Sequence, residues 1–146
     1  WNSCDSDYAT ERASLMEKNI LIVDDEKDIL TVLSHMTRDL GWEAYVATNA
    51  KDAIELFKRV QPPLVLTDLL LQDGVGGVNV CKEIKNISPL TLVVAISGSY
   101  SGSYSISHLR RSGFDHFVPK PFKHEQFKKL IEGVIMCRES WDELVK

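Results

Sequence analysis

Cysteine is scarce in this chain. Cys4, Cys81 and Cys137 are odd in number and far apart. That excludes a disulfide framework and the paired spacing of a zinc site, and it fits a reducing cytoplasm. No apolar run approaches the roughly 20 residues a membrane-spanning helix needs, and no basic-then-apolar signal peptide opens the sequence. Basic residues are not in excess: the net charge is −4, so no positive field argues for direct binding of nucleic acid or an anionic membrane. The late lysines and arginines, Arg110, Arg111, Lys120, Lys123, Lys128, Lys129 and Arg138, read as solvated helix faces. There is no internal repeat, long linker or second domain. What remains is ordinary for one globular domain: 146 residues, 44% apolar and 26% charged.

Residues 1–17 are rich in Asn, Ser, Asp and Thr without an apolar period. They read as a leader outside the fold, either cloning-derived or the end of a linker. The domain proper is expected over 18–138, with 139–146 extending the last helix. Trp141 and Leu144 are expected to pack on that helix rather than on a partner, the alternative they leave open.

The chain is organised around Ile20-Leu21-Ile22-Val23-Asp24-Asp25-Glu26. Four apolar residues, three of them β-branched, predict a strand buried on both faces. Two carboxylates at its end are costly unless positive charge meets them. Ile29, Leu30, Leu33, Met36 and Leu40 then fall at helical spacing, and Gly41 suits the residue after a helix. Trp42 to Ala47 reads as a second strand. Asn49 can cap a helix presenting Ala50, Ala53, Ile54 and Phe57 on one face, which Pro62-Pro63 stops. Leu64 to Asp68 is a third buried strand ending in an acid.

Gln72 to Gly77 is glycine-rich but lacks both the P-loop ending and the dinucleotide fingerprint, so it reads as a turn. A short helix is expected over Val78–Asn86, burying Cys81 and Ile84. Leu92 to Ser97 is a fourth buried strand ending in a hydroxyl. Gly98 to Ser107 is loop-like, and a short helix with Ile106 and Leu109 stops at Gly113. A fifth strand over Phe114–Val118 leads to Lys120-Pro121. A last helix, about Glu125 to Cys137, buries Phe127, Leu130, Ile131 and Val134.

Five alternations of buried strand and helix predict an α/β fold: a five-stranded parallel sheet, doubly wound, with helices on both faces. In the strand order 2-1-3-4-5, ligands bind at the carboxyl ends, at the switch point between strands one and three. Asp24-Asp25, Asp68, Ser97 and Lys120 would then converge on one rim. Three carboxylates together repel one another, and a hard divalent cation such as Mg²⁺ relieves this. A metal and a lysine beside an aspartate describe phosphoryl transfer onto that aspartate.

Ile20 to Glu26, Leu66-Thr-Asp-Leu-Leu-Leu71, Ala95-Ile-Ser-Gly98 and Phe117-Val-Pro-Lys-Pro-Phe122, in this order, resemble the receiver domain of bacterial two-component response regulators over about Lys18 to Arg138. The resemblance implies Asp68 as phosphoacceptor. It implies Asp24 and Asp25 as Mg²⁺-binding acids with Asp68 and the backbone carbonyl of Leu70. Ser97 would be the hydroxyl that moves toward the phosphoryl group and Lys120 its cationic partner, preceding a cis Pro121. Phe117 would be the aromatic switch; without the resemblance it reads as a core aromatic.

The implied function is a phosphorylation-controlled signalling switch, catalysing only its own phosphorylation and dephosphorylation. The implied partners are a histidine kinase or phosphotransfer protein, then a downstream protein target or fused output domain, with a homodimer also compatible. Two departures stand out: Gln72 where similar receivers usually carry proline, and Val75 where they often carry aspartate. Leu70, two residues past Asp68, offers no polar side chain to orient an attacking water. A long-lived phosphorylated state is therefore expected, and equal half-lives for the native protein and Leu70→Asn would discard that expectation. Two alternatives stand beside this reading. One is a receiver-like interaction module that takes no phosphate. The other is a small phosphatase working through an aspartyl-phosphate, although Asp24 and Asp25 are adjacent where such enzymes separate two aspartates by one residue.

Overall fold

Apolar side chains alternate across a sheet that is covered on both sides. In the computed structural model, β1 (Asn19–Val23) sends Ile20 and Ile22 to one face and Leu21 and Val23 to the other, all four fully buried. This is why the strand reads as a continuous apolar run rather than an alternating one. The structure describes residues 18–69, 71, 76–97, 106–120 and 123–135; at 97, 106–108, 119 and 134–135 it describes the backbone alone.

The other elements are α1 (Lys27–Asp39), β2 (Glu43–Ala47), α2 (Ala50–Val60), β3 (Leu64–Asp68), α3 (Gly77–Ile87), β4 (Leu92–Ser97), α4 (Ile106–Arg111), β5 (His116–Pro119) and α5 (His124–Ile135). The five strands form one sheet in the order β2-β1-β3-β4-β5, every pairing parallel. The expected fold and strand order are both observed.

Each face carries its own core. Leu30 and Leu33 of α1 and Phe127, Leu130 and Ile131 of α5 pack on Ile20, Ile22, Leu64, Leu66 and Val94. On the other face Ala53 and Phe57 of α2, Val80, Cys81 and Ile84 of α3 and Leu109 of α4 pack on Leu21, Val65 and Val93. Burying a side chain the size of Phe57 or Phe127, both 0% exposed, contributes about 2–3 kcal/mol.

Local signals act as read. Asn49 caps α2, its side chain accepting from the Asp52 N–H at 2.8 Å. Gly41 has φ +83 just past α1. The boundaries of β2, α3 and β5 move. β2 begins at Glu43, because the Trp42 N–H still donates to the Thr37 carbonyl and closes the end of α1. α3 begins one residue early, at Gly77. β5 begins at His116, because the Phe114 N–H is taken by the Leu109 carbonyl, and the chain joins β4 only from the Asp115 N–H to the Val93 carbonyl. Residues 1–17, most of the glycine-rich loop, Gly98 to Ser105, Pro121 and the segment from 136 onward lie outside the described residues.

Candidate functional site

The carboxyl ends of β1, β3, β4 and β5 meet at one rim, as their order requires. Asp24 is the residue after β1. Its N–H still donates to the Ala47 carbonyl at 3.1 Å, so the ladder to β2 holds its backbone while its side chain turns to the rim. Asp24 is 0% exposed and Asp68, the last residue of β3, is also buried; Asp25 is half-buried. One oxygen from each of these three carboxylates lies within 4.8 Å of the others.

Lys120 arrives from the far side, just past β5. Its ammonium reaches over the end of β4 to stand 2.6 Å from Asp24 Oδ2 and 2.9 Å from Asp68 Oδ2. It donates a hydrogen bond to Asp68. Asp24 Oδ1 accepts from the Glu26 N–H at 2.9 Å. Asp24 Oδ2 is fully buried and meets the Lys120 ammonium as a close ion pair, at angles away from an ideal hydrogen bond.

Electrostatics follow from this crowding. Burial pushes the Asp24 carboxyl above its ordinary value. The Lys120 ammonium and the Glu26 N–H act the other way without cancelling that effect, and the Asp68 charge adds to it. For Lys120, burial disfavours the charge, but Asp24 and Asp68 outweigh burial and hold its pKa above the ordinary lysine value. Lys120 is therefore charged at neutral pH. Two buried acids with one ammonium between them leave the rim negative.

The residues fit a small hard cation. Carboxylate oxygens converge, two of the three side chains are buried, and the half-buried Asp25 leaves room for water.

The remaining expected site residues are placed less fully. Ser97 ends β4 beside Asp68: Asp68 pairs with Ile96, and Ser97 with Pro119. Its side chain lies outside the described residues, as do Leu70 and Pro121. Phe117 pairs with Ala95 in β5 and is half-buried against the core on the α3 face.

Two residues escaped the reading of the sequence. Gly77 opens α3, and a Cβ there would collide with the Asp68 carbonyl oxygen; its N–H donates to the Leu69 carbonyl at 3.0 Å. The glycine run was the signal, but three candidates in it hid which one mattered. Glu26 is the other, with Oε1 3.9 Å from the Lys120 ammonium. Its position after two acids, at the start of a helix, was the signal.

A groove of about 530 Å³ lies elsewhere, between α2 and α3, with Ala50, Ile54 and Val80 among its lining residues. It contains none of these carboxylates.

Comparison with known proteins agrees with this geometry. Residues 20–132 match the response regulator receiver domain family. The chain belongs to that family. It is 28% identical over 129 residues to an NtrX-like response regulator of Rickettsia bellii, covering 85% of this chain and 27% of that protein. It is 30% identical over 125 residues to the ycf27 transcriptional regulator of Porphyridium aerugineum, covering 83% of this chain and 49% of that protein. The chain thus spans half or less of the length of these two relatives. Among solved structures, the beryllofluoride-activated NtrC4 receiver domain dimer aligns with a TM-score of 0.73 at 30% identity, covering 87% of this chain and 98% of that one. This is therefore a receiver domain of two-component signalling. No described helix is long and apolar enough to cross a membrane.

Proposed function

We propose that this receiver domain is a phosphorylation-controlled switch in which Asp68 accepts a phosphoryl group from the phosphohistidine of a histidine kinase or phosphotransfer protein. The observation carrying this reading is the convergence of Asp24, Asp25 and Asp68 within 4.8 Å beside Lys120, which stands 2.6 Å from the fully buried Asp24 and 2.9 Å from Asp68.

In this reading an Asp68 carboxylate oxygen attacks phosphorus as the P–N bond to the donor imidazole breaks, and the imidazole leaves as the neutral base on taking a proton from solvent. Lys120, charged and held at this rim 2.9 Å from Asp68 before a cation binds, would offset charge on the phosphoryl oxygens once they arrive. Asp24, Asp25, Asp68 and the Leu70 carbonyl would hold Mg²⁺, which supplies charge neutralisation at the same oxygens. The Ser97 hydroxyl then donates to a phosphoryl oxygen, and Phe117 follows it inward. This biases the 98–107 segment and α4 toward a second arrangement that a partner reads.

The receiver unit is assigned to 18–138, and its working compartment to the cytoplasm, where such kinases present their phosphohistidine. The output lies in a fused domain or a separate target, in keeping with relatives of which this chain spans 27% and 49%. Self-association on phosphorylation is in keeping with the NtrC4 receiver dimer.

The test is intact mass after incubation with acetyl phosphate, with and without Mg²⁺. One added phosphoryl group, dependent on Mg²⁺ and absent in Asp68→Ala, is expected. No gain in a folded, Mg²⁺-binding native protein would overturn the reading in favour of a phosphate-independent interaction module.

A further inference from the structure

Glu26 occupies the N-cap position of α1, with extended φ −91 and ψ 111, yet its side chain makes no cap hydrogen bond. Short polar residues serve that position, because their oxygen reaches back to the first-turn N–H groups; glutamate is too long. Its carboxylate points instead to the rim, 3.9 Å from the Lys120 ammonium, and is 64% exposed on its side-chain surface. The residue is fixed at its backbone, through the Glu26 N–H to Asp24 Oδ1, and free at its tip.

The Lys120 ammonium stands between Asp24 Oδ2 and Asp68 Oδ2, at 2.6 and 2.9 Å. A cation drawing those oxygens to itself takes away the two close partners of the ammonium. A half-buried lysine stripped of its counter-charges is costly. The next carboxylate along is Glu26. The distance to be closed is about one ångström, and an exposed glutamate side chain moves that far at little cost.

Resting on the reading of this rim as an Mg²⁺-dependent phosphoryl acceptor, we propose that Glu26 is a positioning residue that receives the Lys120 ammonium when Mg²⁺ displaces it from Asp24 and Asp68. Glu26 thereby favours Mg²⁺ binding through the lysine rather than by touching the ion. The Glu26–Lys120 pair is loose in the metal-free protein and tight in the loaded one.

The test is a double-mutant cycle on Mg²⁺ affinity, read by calorimetry, with thermal unfolding to verify that each protein is folded. Glu26→Gln should weaken Mg²⁺ binding about threefold, the scale of an exposed ion pair. In a Lys120→Met background the same change should weaken it less than about 1.5-fold, since the lysine that needs a partner is gone. Equal losses in the two backgrounds would mean that Glu26 acts on the ion by its charge alone, and would overturn the proposal while leaving the proposed function standing. No Mg²⁺ binding by the native protein would overturn both. A second measurement needs no lysine variant. Nuclear cross-relaxation between the Lys120 and Glu26 side chains should strengthen as Mg²⁺ is added to the native protein; unchanged cross-relaxation also sinks the idea.

Discussion

Lys85 and Asp115 meet at 2.7 Å at the amino-terminal end of the sheet, away from the carboxylate rim. The Lys85 ammonium also donates to the Thr91 carbonyl at 2.6 Å, and Asp115 Oδ2 also accepts from the Val93 N–H at 2.9 Å. One ion pair thus closes the α3–β4 connection and fixes the entry to β5. Both side chains are less than one-fifth exposed, so screening weakens the pair only in part. Lys85→Met should lower stability by about 1–2 kcal/mol, read as a lower urea midpoint with an unchanged slope. Asp115→Asn should cost less, because an amide oxygen can still accept from Val93. Mg²⁺ affinity should not change in either variant.

Asp24 gives a pH prediction of opposite character. Burial raises its carboxyl above the ordinary value of 3.8 in the folded chain. The folded state therefore binds this proton more tightly than the unfolded state does. Stability from this group is greatest below 3.8 and falls as pH rises from there through the folded value. Asp24→Asn removes the ionisation. Without metal, the variant should match the native protein near pH 4 or below and exceed it increasingly toward neutrality. Adding Mg²⁺ should stabilise the native protein and not the variant. Chemical unfolding across this pH range, with and without Mg²⁺, checks both parts.

Two glycines separate strain from collision. Gly77→Ala drives a methyl group into the Asp68 carbonyl oxygen, which backbone on both sides cannot easily relieve. A loss of about 2 kcal/mol or more is expected, together with weaker Mg²⁺ binding, because Asp68 must shift. At Gly113 the methyl would meet Cys81 Sγ at 3.4 Å, close to ordinary contact, but φ is +107. Gly113→Ala should cost about 1–2 kcal/mol from backbone strain and leave Mg²⁺ affinity intact. Paired stability and calorimetry measurements decide.

Cys81 is fully buried under α3, its Sγ 3.7 Å from the Ser112 carbonyl. Burial pushes its thiol from 9.0 up to about 12. With Cys4 and Cys137 replaced by serine, a thiol reagent at pH 8 should modify the folded protein only through unfolding, so that labelling slows as stability rises. The folded state holds this proton more tightly, so the thiol's contribution to stability is full below about 9 and falls as pH climbs toward about 12. Fast labelling of native protein at pH 8 would contradict the burial.

The strands were legible because they are buried on both faces. Ile20–Val23, Leu64–Leu66 and Leu92–Ile96 leave no polar position to confuse the pattern. Their parallel pairing followed from alternation with helices, and the rim followed once the order 2-1-3-4-5 was taken for the sheet. What stayed illegible was local and geometric. Nothing in the residue types around Phe114 says that its N–H would close a helix turn instead of opening a strand. Gly77 could not be told from Gly74 or Gly76 without knowing which backbone passes beside Asp68. Glu26 was visible only as a charge, since its contact with Lys120 spans most of the chain.

The fifth strand is fastened by charge at both ends, and the two fastenings have different owners. At the foot, Asp115 is held by Lys85 and Val93, none of which belongs to the rim. At the head, Lys120 is held across β4 by Asp24 and Asp68, the carboxylates that the proposed chemistry would use. Loading the rim in the proposed way would unlatch the edge of the sheet at one end and leave the other bolted, which would make β5 a door hung from its foot, with Asp68 as its lock.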